Sequence, residues 1–171
     1  DAISYPPGEH IRGEAWIHCD KMNMPVKGNL AARVRLLDGT VVQESSGPAA
    51  GRGPGFRASE IDLVAPNAPY GLFVLELLWQ SESGTTSNRY LLSRQTQHPL
   101  APMLTVPPAR IGLSHGKTGQ CILRNESDIA ALATRLITSV ADVILLASVN
   151  NFIMFPGEAQ AIDYELIALS D

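Results

Sequence analysis

The chain has 171 residues, 45% of them hydrophobic, with 14 glycines and 12 prolines, enough for one large or two small domains with many turns. Thirteen basic residues are scattered among seventeen acidic ones, giving a net charge of −4, which argues against nucleic acid as a partner. No apolar run approaches the ~20 residues of a membrane helix, and the most apolar region, 130–149, carries Arg135 and Asp142, so no membrane partner is expected.

Asp1 to Pro7 shows neither a charged nor an apolar leader segment and no initiating Met, as in a processed chain or a fragment of a longer protein. Residues 11–19 alternate, predicting a strand with Ile11, Gly13, Ala15 and Ile17 on one face and Arg12, Glu14, Trp16 and His18 on the other. After a loop over 20–28, Leu30, Ala32, Val34 and Leu36 point inward on a second strand, with Arg33 and Arg35 outward. Asp38-Gly39 marks a hairpin leading to Val41-Val42. The Gly, Pro, Ser and Ala residues of 45–55 predict a mobile loop. A weaker strand follows at 56–64, then a turn at 65–69. Residues 71–80 form the most apolar strand, expected to be central, with Phe73, Leu75, Leu77 and Trp79 on its core face. A turn at 81–84 leads into a last strand at 87–93. Six or seven strands at this spacing without a convincing helix predict a β-sandwich.

Between Arg94 and Pro108, the prolines at 99, 102, 107 and 108 predict a stiff, extended linker. The division is therefore placed at 97/98. Strands resume at 110–115 and 120–124. Beyond Asn125, two readings compete. Ser127 or Asp128 as a cap with Ile129, Leu132, Ala133, Leu136 and Val140 on one face suits a helix. Thr134, Ile137, Thr138 and Val140 suit a strand over 131–138 with Leu132 and Leu136 inward. Near the end, Pro156-Gly157 marks a tight turn, and Ile162, Tyr164 and Leu166 alternate with Ala161, Asp163 and Glu165 as a closing strand. Cys19 and Cys121 fall in different halves, which predicts two buried thiols rather than a disulfide and leans toward a reducing, cytoplasmic compartment.

Several of these stretches resemble one family. Asn150 to Glu158 with the strand after it resembles the last module of the β-mannosidase and exo-β-glucosaminidase-like branch of glycoside hydrolase family 2. There an Asn-aromatic segment, a Pro-Gly-Glu turn and a final strand close the chain. Tyr5-Pro6-Pro7-Gly8-Glu9, the strand with Trp16, and residues 32–42 resemble the start of the penultimate immunoglobulin-like module. Residues 73–77 and 87–93 resemble its end, and 123–132 the entry to the last module. The likeness is collinear over nearly the whole chain, although 139–149 lacks the Gly-rich, polar hairpin of the family. It implies an all-β fold of two consecutive immunoglobulin-like β-sandwich domains, 1–97 and 98–171, and it favours the strand at 131–138. It also implies a non-catalytic accessory region whose partners are a catalytic barrel and other domains of a parent glycosidase. Such a barrel needs ~250 residues, more than this chain.

The candidate chemical residues agree with that reading. Asn125-Glu126 has the residue types of a glycosidase acid, but a retaining site needs a second carboxylate ~5–5.5 Å away, and here the pair sits in a polar turn. Asn125-Glu126-Ser127 is also a glycosylation sequon. His10, His18, His98 and His115 lack metal-ligand spacing, Ser114-His115 lacks a nucleophile elbow, and the glycines of 51–55 lack the Lys-Ser/Thr of a phosphate loop. No catalytic residue, metal or cofactor is expected. Trp16 is the candidate contact residue, either for a partner domain or for a sugar ring. Two rival classes remain, a carbohydrate-binding module pair and fibronectin-like interaction domains. Self-association of the isolated fragment is expected.

Overall fold

Ile11 and Ala15 are buried while Arg12, Glu14, Trp16 and His18 face solvent, so the alternation read for the first strand holds at these positions of β1, His10–His18, although Gly13, read as inward, is exposed. The computed structural model describes residues 3–20 and 22–169. The chain divides into two compact units, one running to Val106 and one starting at Pro107. Both are built almost wholly of antiparallel strands, giving an all-β, sandwich-like fold.

In the first unit, β1 is followed by β2 (Pro25–Arg35), β3 (Val41–Arg52), β4 (Gly55–Val64), β5 (Leu72–Ser81) and β6 (Gly84–Ser93). β1 and β4 pair as one layer, and the other has the order β3-β2-β5-β6. Ile11 and Ala15 of β1 and Ile61 and Leu63 of β4 share a core with Leu30, Ala32, Val34, Phe73 and Leu92 of the larger sheet. The apolar β5 is flanked by β2 and β6, as a strand with few polar positions should be. Asp38-Gly39 turns the β2–β3 hairpin, with Gly39 at φ 90° and its N–H donating to the Leu36 carbonyl at 3.0 Å.

The expected mobile loop at 45–55 is instead most of β3. From Arg33↔Glu44 to Pro25↔Arg52, β3 pairs residue by residue with β2. A backbone ladder needs no large side chains, and β3 lies at the sheet edge, where Pro48 removes no ladder donor that a neighbour requires. Small residues there have a use: a Cβ on Gly51 would stand 2.2 Å from the Phe56 ring. Gly28 likewise leaves room for the Trp79 ring. Trp79 itself is half-buried against the margin of the core.

The segment read as an extended linker is also structured. It contains a 3-10 turn, Ala101–Thr105, with Pro102 buried and the Thr105 hydroxyl donating to the Pro102 carbonyl at 2.8 Å. Proline suits the first turn of a helix, where its missing N–H has no partner to lose.

The second unit holds β7 (Ile111–His115), β8 (Gln120–Asn125), β9 (Ala131–Thr134), β10 (Val143–Ala147), β11 (Phe152–Met154) and β12 (Ala159–Ala168). One sheet has the order β10-β12-β8-β7 and the other pairs β11 with β9. Cys121, Leu123, Ala131, Met154 and Ile162 form the core. The strand reading at 131–138 was right in kind and too long. Ala133 adopts φ 53°, which ends regular pairing after Thr134 and places Ala131 inward in place of Leu132. Leu136 still packs on the core margin. Because β9 and β11 are short, Ile162 on β12 is fully covered while Leu166, on the same face, is 56% exposed.

Candidate functional site

The outer face of the β1–β4 layer carries the candidate contact residue. Trp16 lies opposite Arg57, just past a bulge between Ala15 and Trp16, and is 52% exposed. Its indole N–H donates to Glu14 Oε2 at 3.1 Å, while Arg57 Nη1 donates to Glu14 Oε1 at 3.0 Å and to Glu60 Oε1 at 3.1 Å. Glu14 and Glu60 are cross-strand neighbours, a repulsive arrangement that the bridging guanidinium reverses. The Arg57 hydrogen bond, followed by that from Trp16, holds the Glu14 carboxyl below its ordinary value. Further along, His10 and Arg12 flank Asp62, and the His10 hydrogen bond lowers that carboxyl too.

This geometry fixes the indole at its polar end and leaves ring surface open. An aromatic held in one orientation loses little side-chain freedom on contact, and it suits either an apolar partner surface or the face of a sugar ring.

A second arrangement went unread in the sequence. Glu76, in the middle of the apolar β5, is 2% exposed. Glu44, Arg33, Glu76 and Arg89 lie side by side across β3, β2, β5 and β6, so charges alternate in sign across the whole sheet. Arg33 Nε donates to Glu44 at 2.7 Å and Arg89 Nε to Glu76 Oε1 at 2.8 Å. Arg35 Nη1 reaches both Glu76 oxygens at 3.2 and 3.3 Å. Arg33 and Arg35 are thus outward as expected but ion-paired and partly buried rather than solvated. The signal available was a lone acid in the run Leu72-Phe73-Val74-Leu75-Glu76-Leu77-Leu78: a buried carboxylate demands cations on adjacent strands.

Asn125 is fully buried: its amide donates to the Ile129 and Met154 carbonyls at 2.8 and 2.9 Å, and its oxygen accepts the Ser127 N–H at 3.0 Å. The sequon asparagine therefore has no exposed nitrogen in the folded unit. Glu126 forms a surface pair with Arg110 at 3.1 Å. His10, His18, His98 and His115 are all exposed, and among the described residues no group of three or more His, Cys, Asp or Glu is placed to hold a metal ion. Burial raises the Cys121 thiol above its ordinary value. An open depression of about 410 Å³ lined by Pro69, Tyr70, Gly71, Arg94, Gln95 and Thr105 holds no carboxylate. No protein-family model matches this sequence, and no curated protein does.

Proposed function

We propose that this chain is a non-catalytic C-terminal accessory region of a β-mannosidase-like glycoside hydrolase. In this reading, two immunoglobulin-like sandwiches brace a catalytic barrel encoded upstream, and Trp16 contributes to the contact with it. One observation carries the proposal. Two of the segments that resemble the family's last module, Asn125 and Pro156-Gly157-Glu158, are bonded to each other. The Asn125 N–H donates to the Glu158 carbonyl and the Gly157 N–H to the Asn125 carbonyl, each at 3.0 Å. Glu158 also accepts the Phe155 N–H at 2.9 Å through its carboxylate. A mutual dependence of this kind gives a physical motive for the two motifs to occur together. The exposed Trp16 is a second support, since burying it against a partner contributes about 1.5–3 kcal/mol.

The coding region upstream of Asp1 provides the direct test: a (β/α)₈ barrel with two catalytic glutamates is expected, and its absence sinks the proposal. Co-expression of that barrel with this chain should give a complex weakened by Trp16→Ala. A carbohydrate-binding module pair is the competing reading favoured by the same residue. Calorimetric titration with manno- and gluco-oligosaccharides distinguishes them, because saturable heat lost in Trp16→Ala would move Trp16 from a domain contact to a sugar platform.

A further inference from the structure

β10 stands at the edge of its sheet, bonded to β12 alone among the described strands. Its five residues, Val143-Ile144-Leu145-Leu146-Ala147, include no charge and no proline, the two devices that most often protect an exposed edge from pairing. The direction of its unbonded groups follows from the ladder. Leu169 N–H donates to the Asp142 carbonyl at 2.7 Å and Ser148 N–H to the Asp163 carbonyl at 2.9 Å. Bonded positions in an antiparallel pair alternate, so the even-numbered residues 142–148 bond toward β12. The N–H and C=O groups of Val143, Leu145 and Ala147 therefore point to the open side.

We infer that this edge is a self-association surface on which a second copy of the chain pairs antiparallel about a two-fold axis at Leu145. The strand is its own complement in that arrangement. Leu145 meets Leu145 of the second copy and Val143 meets Ala147, all positions whose backbone groups face outward, so both registers of donors and acceptors are matched. Ile144 meets Leu146. On their own sheet, Ile144 already lies opposite Ile167 and Leu146 opposite Glu165, so pairing extends an apolar row from Ile167 through Ile144 to Leu146 of the second copy. Ile144 and Leu146 are 43% and 50% exposed, and pairing covers the side of each that faces the second copy. No like charges are brought directly opposite each other, because the two copies of Glu165 end up at opposite ends of their rows. Only a five-residue edge is paired on each copy, so the contact falls below the roughly 1,200–2,000 Å² of standard specific interfaces. The dimer is therefore concentration-dependent and reversible rather than obligate. The inference does not depend on the parent enzyme or on Trp16.

Sedimentation velocity of the full 171-residue chain across a range of concentrations is expected to show a monomer–dimer equilibrium. Leu146→Lys, which places an ammonium in the apolar row, should raise the dissociation constant by roughly tenfold or more. Leu145→Pro should do the same by removing an outward N–H while leaving every bond to β12 intact. Register is tested by mixing Ile144→Cys with Leu146→Cys chains under mild oxidation: peptide mapping should find the 144–146 crosslink in the mixture and no 144–144 link in Ile144→Cys alone. A chain that stays monomeric at every concentration overturns the inference. So does a dimer that is indifferent to Leu146→Lys and Leu145→Pro, one that is lost only in Trp16→Ala, or one crosslinked through a different pair.

Discussion

Glu76→Gln keeps the shape of a side chain that is 2% exposed and removes its charge. Three guanidinium groups then lose their shared counter-ion: Arg89 at 2.8 Å, Arg35 at 3.2 Å and Arg33 at 3.8 Å. Breaking a buried pair by removing one partner costs about 3–5 kcal/mol, because the other charge stays desolvated. The arginines retain exposures of 19%, 17% and 29%, so water compensates in part, and the expected loss is about 2–3 kcal/mol. Both tryptophans of the chain, Trp16 and Trp79, belong to the unit that ends at Val106. Tryptophan fluorescence in a urea titration therefore follows that unit alone. A double-mutant cycle with Arg89→Leu should give a coupling above about 1 kcal/mol, since the two groups touch. A loss below about 0.5 kcal/mol, the ordinary range for surface changes, would refute the assignment of Glu76 to a buried ionic ladder.

Asn125→Ala strands two carbonyls and one N–H in the second unit and should destabilise it by about 2–4 kcal/mol; hydrogen exchange checks this, and unchanged protection of β8 and β12 would contradict it. In Gly28→Ala the new Cβ stands 2.3 Å from the Gln80 carbonyl oxygen and 2.5 Å from the Trp79 ring. A cost of about 1–3 kcal/mol with altered Trp79 fluorescence is expected, and wild-type stability with an unchanged spectrum would mean the ring does not lie over Gly28. Glu14 and Asp62 both have lowered carboxyl pKa values when folded. Their contribution is therefore present above the ordinary carboxylate range and is lost as pH falls through the lowered folded values. Carboxyl NMR titration should find both midpoints below those of the unfolded chain, and Arg57→Ala should move Glu14 back up while leaving Asp62 in place.

Much of the β architecture was readable because its strands alternate. Ile11 and Ala15, Leu30 to Val34, and Phe73 reach the core as their period of two demands, and Asp38-Gly39 turns where its residues allow. Side-chain pattern was a poor guide where the backbone ladder alone decides. The small residues of β3 carry no periodic signal, yet β2 supplies hydrogen bonds that do not depend on them. Positive φ at Ala133 could not be read from an alanine, whose side chain disfavours that conformation, so the end of β9 was missed. For the candidate site, the exposure of Trp16 was legible from alternation. The Glu14 and Arg57 clamp was not, because it depends on which residue of β4 stands opposite. Asn125 looked like a polar turn residue, and only the approach of Ile129 and Met154 shows that the turn closes over it.

The row from Glu44 to Arg89 has a consequence for how the sheet is assembled. A strand that slips by one residue turns its core side chains to the wrong face, but a slip of two preserves inside and outside and escapes that check. No hairpin joins β2 to β5, so turn geometry does not set their alignment. The charges do. With Arg33 opposite Glu76, a two-residue slip in one direction sets Arg33 opposite Val74 and Glu76 opposite Ala31. Slipping the other way sets Arg33 opposite Leu78 and brings Arg35 opposite Glu76 in its place. In either case a guanidinium faces an apolar side chain while its carboxylate is carried a full repeat away. The ladder thus acts as a vernier for the longest-range pairing in the sheet, favouring the one alignment in which both Arg33 and Glu76 face an opposite charge, with Arg35 still in reach of the carboxylate.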